Sequence, residues 1–271
     1  MEVTNHCNLK CIMCPREIMT RKEGVMDLEL FKKVIDDTTK FKKPYLLTLH
    51  FSGEPLINKK LPEMIRYAKD KGVPIVKFNS NAMLLDEKMS EQILGSGLDI
   101  LTIAIESTKD IHDKFRVGSD FEQVTRNVQN IVEMKKKKGL KKPSIRVQML
   151  TSKDTDEKDI QAGIDLWEPI VDYVKIESIS TAGGQIEDFG STRSQKKLCK
   201  EIWTNMVILW NGDVTVCCVD HNAALKVGNV NESSIEEIWN GEKYQRLRDL
   251  HRKGDLDKIP LCDSCLNANH G

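Results

Sequence analysis

"CNLKCIMCP", Cys7–Pro15, places three cysteines at the spacing C-x₃-C-x₂-C near the start of the chain, just after "EVTN", Glu2–Asn5. Thiols so closely spaced in a loop after a candidate first strand read as metal ligands. Zinc takes four protein ligands in structural sites or three and a water in catalytic ones, and His6 offers a fourth donor. A cubane iron–sulfur cluster held by three cysteines keeps an open coordination position on its remaining iron. The spacing alone admits both metals.

The rest of the chain narrows the setting. With 271 residues it can bury a substantial core. Lys+Arg and Asp+Glu are equal at 41 each, so there is no overall basic field of the kind that nucleic-acid or anionic-membrane binding needs. The longest apolar runs, such as "MVIL" (Met206–Leu209), fall far short of the roughly 20 residues of a membrane span. No export signal precedes Cys7, which points to the cytoplasm, where a disulfide framework would be reduced. The eight cysteines are therefore read as metal-binding or catalytic, and they cluster: Cys7, Cys11 and Cys14 at one end, Cys199, Cys217, Cys218, Cys262 and Cys265 at the other.

Between the two groups, short β-branched runs alternate with longer amphipathic stretches, the signature of βα units on a parallel sheet. The expected strands are "YLLTLHF" (Tyr45–Phe51), "PIVKFNS" (Pro74–Ser80), "DILTIAI" (Asp99–Ile105), "SIRVQML" (Ser144–Leu150) and "VDYVKIES" (Val171–Ser178). With "EVTN" leading, they make six repeats. Expected helices run Asp27–Thr39, Lys60–Lys71, Asp86–Gly95, Phe121–Lys138 and Lys158–Pro169. Asp86 caps its helix and Gly95 closes it. The lysines at 135–138 are a solvated helix end favoured by the dipole, not a nucleic-acid patch. After a Gly- and Ser-rich stretch at 181–197, which reads as a linker, "MVILWNGDVTVCCV" predicts two strands around a type I′ turn at Asn211-Gly212. A helix over Ser234–His251 and "LCDSC" follow. These last 70 or so residues form a small domain that needs a metal to hold it.

C-x₃-C-x₂-C leading into βα units resembles the radical S-adenosylmethionine (SAM) superfamily. The resemblance implies an α/β fold: a partial (β/α)₆ TIM-like barrel over residues 1–180, the linker, and a small α+β metal-cluster domain over 198–271. It implies that Cys7, Cys11 and Cys14 hold a [4Fe–4S] cluster whose open iron binds SAM, and that reductive cleavage of SAM gives a 5′-deoxyadenosyl radical that abstracts hydrogen from an unactivated carbon. "SGEP" (Ser52–Pro55) is similar to the family's G-G-E-P segment, with Ser52 replacing the first glycine and with Gly53 and Glu54 holding the SAM ammonium. "NSNA" resembles the T-N-G turn, bringing in Asn79 and Asn81. "IAIES" resembles S-L-D-G, with Glu106 at the acidic position and Ala104 where serine is usual. "HDKFRVGSDFEQV" puts Arg116 where an arginine approaches SAM. These segments fall at expected strand C-termini, the face where such barrels collect active sites.

Cys199 and Cys217 in C-x₁₂-G-x₄-C, then Cys262 and Cys265 in C-x₂-C, can close a zinc site or saturate a cubane. Their order resembles the Twitch form of the SPASM domain, which implies a second, auxiliary [4Fe–4S] cluster without an open iron. Cys218, next to a ligand on an expected strand, should face the opposite side. It is either a small buried apolar residue or a hydrogen-atom donor to a substrate radical. These parts suit oxidation of a small hydroxylated substrate, a sugar or aminocyclitol, with the auxiliary cluster taking an electron, or its epimerisation. The alternatives are a maturase acting on a ribosomally made peptide and a non-catalytic cluster scaffold. A flavodoxin or ferredoxin is the expected reductant, with no nucleic-acid or membrane partner. Glu17, Glu177 and Arg146 are the candidates for taking a proton from a substrate radical.

Overall fold

A computed structural model describes residues 1–41, 45–153, 155–182, 184–186, 199–263 and 265. Helices begin where a short polar side chain can accept the first free N–H groups. Asp27 caps α1 (Leu28–Thr38), Asp86 caps α3 (Glu87–Leu94) through Met89 N at 2.7 Å, and Asp120 caps α5 (Phe121–Lys137). Between them come β1 (Leu46–Thr48), α2 (Leu61–Asp70), β2 (Ile75–Ser80), β3 (Ile100–Ala104) and α4 (Lys109–Phe115). The series ends with β4 (Ser144–Thr151), α6 (Glu157–Trp167) and β5 (Tyr173–Ser178).

The strands β1 to β5 pair in chain order, every neighbour parallel. Such pairing requires a crossover at each step, and the helices supply it. This is the expected partial TIM-like barrel with five strands in the ladder. "EVTN" does not join it: Thr4 makes an isolated antiparallel bridge with Val25, and Glu2 N donates to Ile208 O instead.

Burial along the strands decides what the sheet faces. In β4, Ile145, Val147 and Met149 are buried, whereas Arg146, Gln148 and Leu150 are only partly covered. β2 repeats this, with Val76 and Phe78 fully buried between Lys77 and Asn79. The apolar set packs on the helices; α5 presents Val124, Val128, Ile131 and Val132, each worth about 1.5–3 kcal/mol when buried. The other face is a polar lumen. A strand buried on both sides would have been apolar throughout.

The C-terminal part contains α7 (Glu201–Thr204), β6 (Val207–Ile208), β7 (Asp213–Thr215), β8 (Lys226–Asn229), α8 (Ile235–Asn240), α9 (Glu242–Lys253) and α10 (Pro260–Asp263). Strands β6 to β8 form an antiparallel sheet. Residues 183 and 187–197 of the expected linker lie outside the described residues. The single helix expected over Ser234–His251 is two, because Gly241 is extended (φ −67°, ψ 157°) and interrupts it. The hairpin turn is not type I′, which needs positive φ at both central residues. Only Gly212 is left-handed (φ 88°), and its N–H bonds Leu209 O, the pattern of a type I turn followed by a glycine bulge. Core residues of this part, among them Ile208, Val214 and Ile238, are continuous with the barrel's hydrophobic core. Among the described residues no helix is long and apolar enough to cross a membrane.

Candidate active site and cluster loops

The Cys7–Cys14 loop is tied at both ends to segments that follow the strands. Glu54 N donates to His6 O at 2.8 Å, and Asn81 Nδ2 to Asn8 Oδ1 at 3.0 Å. Lys10 N reaches Val117 O and Ile12 N reaches Phe115 O, at 2.9 and 3.0 Å. Met13 packs with Phe115 and Ile179, and Cys11 and Leu150 lie against them, so the loop sits on the C-terminal ends of β4 and β5. Gly53 permits the closest approach: it has φ +88°, and a Cβ there would stand 2.5 Å from His6 O.

All three thiols are partly buried and free. Burial raises the Cys7 and Cys14 thiols above their ordinary value and pushes Cys11 up to about 11, and Cys14 repels the thiolates of both Cys7 and Cys11. Arg116 counteracts the rise at Cys11 and Cys14. A loop of soft, mutually repelling thiols, poorly disposed to ionise unaided, fits an iron–sulfur cluster, whose iron supplies the missing positive charge. His6 is not aimed into this set; its Nδ1 lies 3.2 Å from Glu23 Oε2, which weakens the zinc alternative.

Glu54, 2% exposed, accepts from Leu56 N at 3.0 Å and Ser80 Oγ at 2.8 Å on one oxygen, and from Asn81 N at 2.8 Å on the other. Burial raises this carboxyl, and those three donors oppose the rise. Its first effect is to lock "SGEP" to "NSNA". Asn81 in turn accepts from Met83 N, and Ala82 adopts φ 58° where the family's turn carries glycine. Asn79 sits lower: its N–H donates to His50 Nδ1 at 3.0 Å, and its Nδ2 to Gln148 Oε1 across the lumen at 3.3 Å. His50 is driven down to about 3, mainly by burial.

Glu106 and Arg116 form a buried pair. Arg116 Nε and Nη2 meet Glu106 Oε1 at 2.8 and 2.7 Å, and Leu150 N donates to Oε2 at 2.7 Å. Beneath them His112 accepts from Glu106 N and bonds Ser119 Oγ; burial, then the Arg116 charge, drives it down to about 4. Of the three candidate proton acceptors, the fold brings Glu177 and Arg146 to the lumen face and leaves Glu17 exposed beside the cysteine loop.

At the other end, Cys199, Cys217, Cys262 and Cys265 are again partly buried, and each of the first three lies within electrostatic reach of other members of the set. Burial pushes Cys262 up to about 12, and its Sγ lies 3.5 Å from His251 Nε2. Cys218 departs from expectation. β7 stops at Thr215, so strand alternation no longer applies; Cys218 is exposed, with the Cys217 thiol as its strongest electrostatic neighbour.

Sequence reasoning did not find the contact between the two ends. Ser52 Oγ lies 3.0 Å from His221 Nδ1, and His221 stacks on Phe51 with ring centroids 5.0 Å apart. Arg21 donates to His221 O while gripping the fully buried Glu2 with both terminal nitrogens, at 2.7 and 3.0 Å. The one available signal was the serine where the motif carries glycine.

Residues 1–161 match the model of the radical SAM superfamily. The chain belongs to the radical SAM superfamily. Residues 199–266 match an iron–sulfur cluster-binding domain, SPASM. The chain is similar to the tungsten-containing aldehyde ferredoxin oxidoreductase cofactor-modifying protein of Pyrococcus furiosus, at 24% identity over 98% of this chain and 86% of the relative. It is also similar to the S-adenosyl-L-methionine-dependent 2-deoxy-scyllo-inosamine dehydrogenase of Niallia circulans, at 22% identity over 99% of this chain and 92% of that protein. Among solved structures, BtrN in complex with AdoMet and 2-DOIA shares the fold of this radical SAM protein, with a TM-score of 0.67 at 20% identity over 97% of this chain and 90% of BtrN.

Proposed function

We propose that this radical SAM protein oxidises a hydroxyl-bearing carbon of a small molecule to a ketone, in the reducing cytoplasm and with an electron donor of the flavodoxin or ferredoxin type. The observation that carries the reading is that one chain holds a tied three-cysteine loop above a polar barrel lumen and a second set of four cysteines, and aligns over 99% of its length with a radical SAM dehydrogenase of an aminocyclitol. In this reading residues 1–180 are the radical-generating core, 181–197 a linker and 198–271 the auxiliary domain. When bound, a [4Fe–4S] cluster on Cys7, Cys11 and Cys14 with SAM supplies hydrogen-atom abstraction, and one on Cys199, Cys217, Cys262 and Cys265 accepts an electron.

The chain's own residues hold and orient the reactants. Backbone carbonyls of Ser52 and Gly53, with the remaining acceptor position of Glu54, take the SAM ammonium. Arg116 spends Nε and Nη2 on Glu106, so Nη1 is the end offered to the SAM carboxylate or ribose. Asn81 fixes the loop through Asn8, and Asn79 presents its amide to the lumen. Glu177, on the lumen face beside Lys175 at 2.5 Å, takes the hydroxyl proton as the ketone forms. Dehydrogenation is preferred to epimerisation because the electrostatic neighbours of Cys218 are Cys217, Glu201, Cys199 and Cys265, all in the C-terminal part and none of them a lumen group.

The test is anaerobic reconstitution, reduction and addition of SAM, with 5′-deoxyadenosine measured beside Cys14→Ala. Cys14-dependent formation supports the radical chemistry. Its absence from protein whose cluster is spectroscopically intact sinks the reading in favour of a scaffold. Incubation with sugars, aminocyclitols and peptides then separates the oxidoreductase from a peptide maturase by which class returns a product lighter by a pair of hydrogens.

A further inference from the structure

The lumen carries more positive charge than hydrogen abstraction calls for. Lys77, Arg146 and Lys175 alternate with the helix-packed residues Val76, Val147 and Val174, and so stand on the inner face of β2, β4 and β5. The register agrees: Arg146 is opposite Tyr173, with its guanidinium 5.8 Å over that ring, and Gln148 is opposite Lys175. Burial lowers the Lys77 ammonium, Lys175 and then Arg146 lower it further, and Glu177 opposes them, so Lys77 lies within electrostatic reach of both other cations and of that one acid.

One acid answers them. Glu177 pairs with Lys175 at 2.5 Å and accepts from Gln148 Nε2. Arg146 Nε donates to Ser144 Oγ at 3.1 Å, and neither Arg146 nor Lys77 has a carboxylate within ion-pair distance among the described residues. Cations brought together and partly desolvated without counterions are unfavourable unless a ligand supplies the charge. A neutral sugar would not supply it. An aminocyclitol, cationic at neutral pH, would add to the repulsion.

We infer that the substrate is an oxyanion, a hydroxylated molecule carrying a carboxylate or phosphate that Lys77 and Arg146 bind in the lumen, with its reacting carbon turned toward the cysteine loop. Arg146 offers a planar fork and Lys77 a point charge, a pairing suited to either oxyanion. Lys175, held by Glu177, sets the rim. This inference rests on the radical SAM oxidoreductase reading and names the substrate class for it.

The test is calorimetric titration of the reconstituted holoprotein with SAM bound, using D-gluconate and glucose 6-phosphate against glucitol and 2-deoxystreptamine. At least one oxyanion should bind, and the neutral and cationic probes should not. Arg146→Met and Lys77→Met should each weaken that binding roughly tenfold or more, the loss typical of a charge-assisted contact, while Arg146→Lys, which keeps the charge but not the planar fork, should weaken it less than Arg146→Met does. Gluconate and glucose 6-phosphate together tell a carboxylate site from a phosphate site. Failure of both oxyanions to bind, or binding indifferent to both methionine variants, overturns the inference. Loss of SAM affinity in those variants with oxyanion binding unchanged overturns it too, because the cations would then serve the SAM carboxylate. Cys14-dependent 5′-deoxyadenosine formation in the same preparation keeps the failures apart: its presence without oxyanion binding removes only the substrate class, and its absence removes the parent reading.

Discussion

Arg116→Met should be among the most damaging single changes in the barrel, for a reason visible in one ion pair. The side chains of Arg116 and Glu106 are 9% and 0% exposed, and both Arg116 donors converge on a single carboxylate oxygen. Without the guanidinium, Glu106 keeps only Leu150 N, on its other oxygen, beside the apolar Phe115 and Leu150. Stranding one member of a buried pair costs about 3–5 kcal/mol. In urea unfolding of cluster-free protein, followed by circular dichroism, that loss moves the midpoint down by about 1 M, taking a slope near 3 kcal/mol/M. Adding Glu106→Gln removes the stranded charge while an amide oxygen still accepts from Leu150 N, so the double variant should recover about half the loss. That recovery, added to the cost of Glu106→Gln alone, is the coupling energy, which is therefore about 2 kcal/mol or more. A single-variant cost below about 1 kcal/mol, or strict additivity of the two changes, would refute the claim that the pair is desolvated and mutually dependent.

Gly53→Ala forces a Cβ to within 2.5 Å of His6 O and 2.8 Å of the Asn5 backbone at φ +88°; it should cost about 2 kcal/mol or more and remove the iron of the N-terminal cluster while leaving that of the C-terminal one, as read by iron analysis and electron paramagnetic resonance. His112 is fully buried and driven down to about 4 from 6.5, so the stability it confers is present above pH 6.5 and is lost as pH falls from there toward 4. Urea titrations should show His112→Gln reducing the destabilisation between pH 7 and pH 5 by about 2 kcal/mol, and an unchanged slope would contradict the assignment. Ser234 caps α8 in a reciprocal capping box with Glu237, so Ser234→Ala should cost about 1 kcal/mol, seen as a drop of roughly 2–4 °C in the thermal midpoint.

Local chemistry explains which elements could be read in advance. Asp27, Asp86 and Asp120 start their helices because a carboxylate one residue before the first turn has little else to bond, and each such boundary agrees with the sequence to within a residue. The helix Lys109–Phe115 is not among the expected ones although Thr108 caps it, because at seven residues it is too short to show a clear apolar stripe. Gly241 lies inside the single helix expected over Ser234–His251; it instead turns the chain, and Tyr244 and Trp239 meet across it with tilted rings 4.9 Å apart. The hairpin turn depended on the φ of Asn211, which an Asn-Gly pair biases but does not dictate. The cysteines, "SGEP", Glu106 and Arg116 were legible as a set because their order along the chain mirrors the order of the strand ends. The lumen charges were present in the alternation of "IVKFNS" and "SIRVQML", yet an alternating strand reads equally as one with a solvated face.

The serine of "SGEP" shows what spacing alone cannot convey. Ser52 and His221 are 169 positions apart, and nothing local to either indicates that they meet. Once paired, the contact joins a larger seam: Trp210 Nε1 donates to Lys22 O at 3.2 Å, Gly24 leaves room for the Trp210 ring, and Ile235 N donates to Asp37 Oδ2 at 2.7 Å. Glu2 stands at its centre, taking Arg21 from the loop after the cysteines and Trp210 N from the C-terminal sheet. A buried carboxylate shared between two parts of a chain is expensive to separate, since parting them strands its charge. The continuous apolar core works in the same direction, because separation would expose Ile208, Val214 and Ile238 to water. The segment that follows Cys217 is thereby held against the turn that follows β1. That geometry gives the glycine-to-serine departure a physical cause: a glycine at position 52 would leave the half-buried His221 Nδ1 without this partner, at a cost of about 1 kcal/mol.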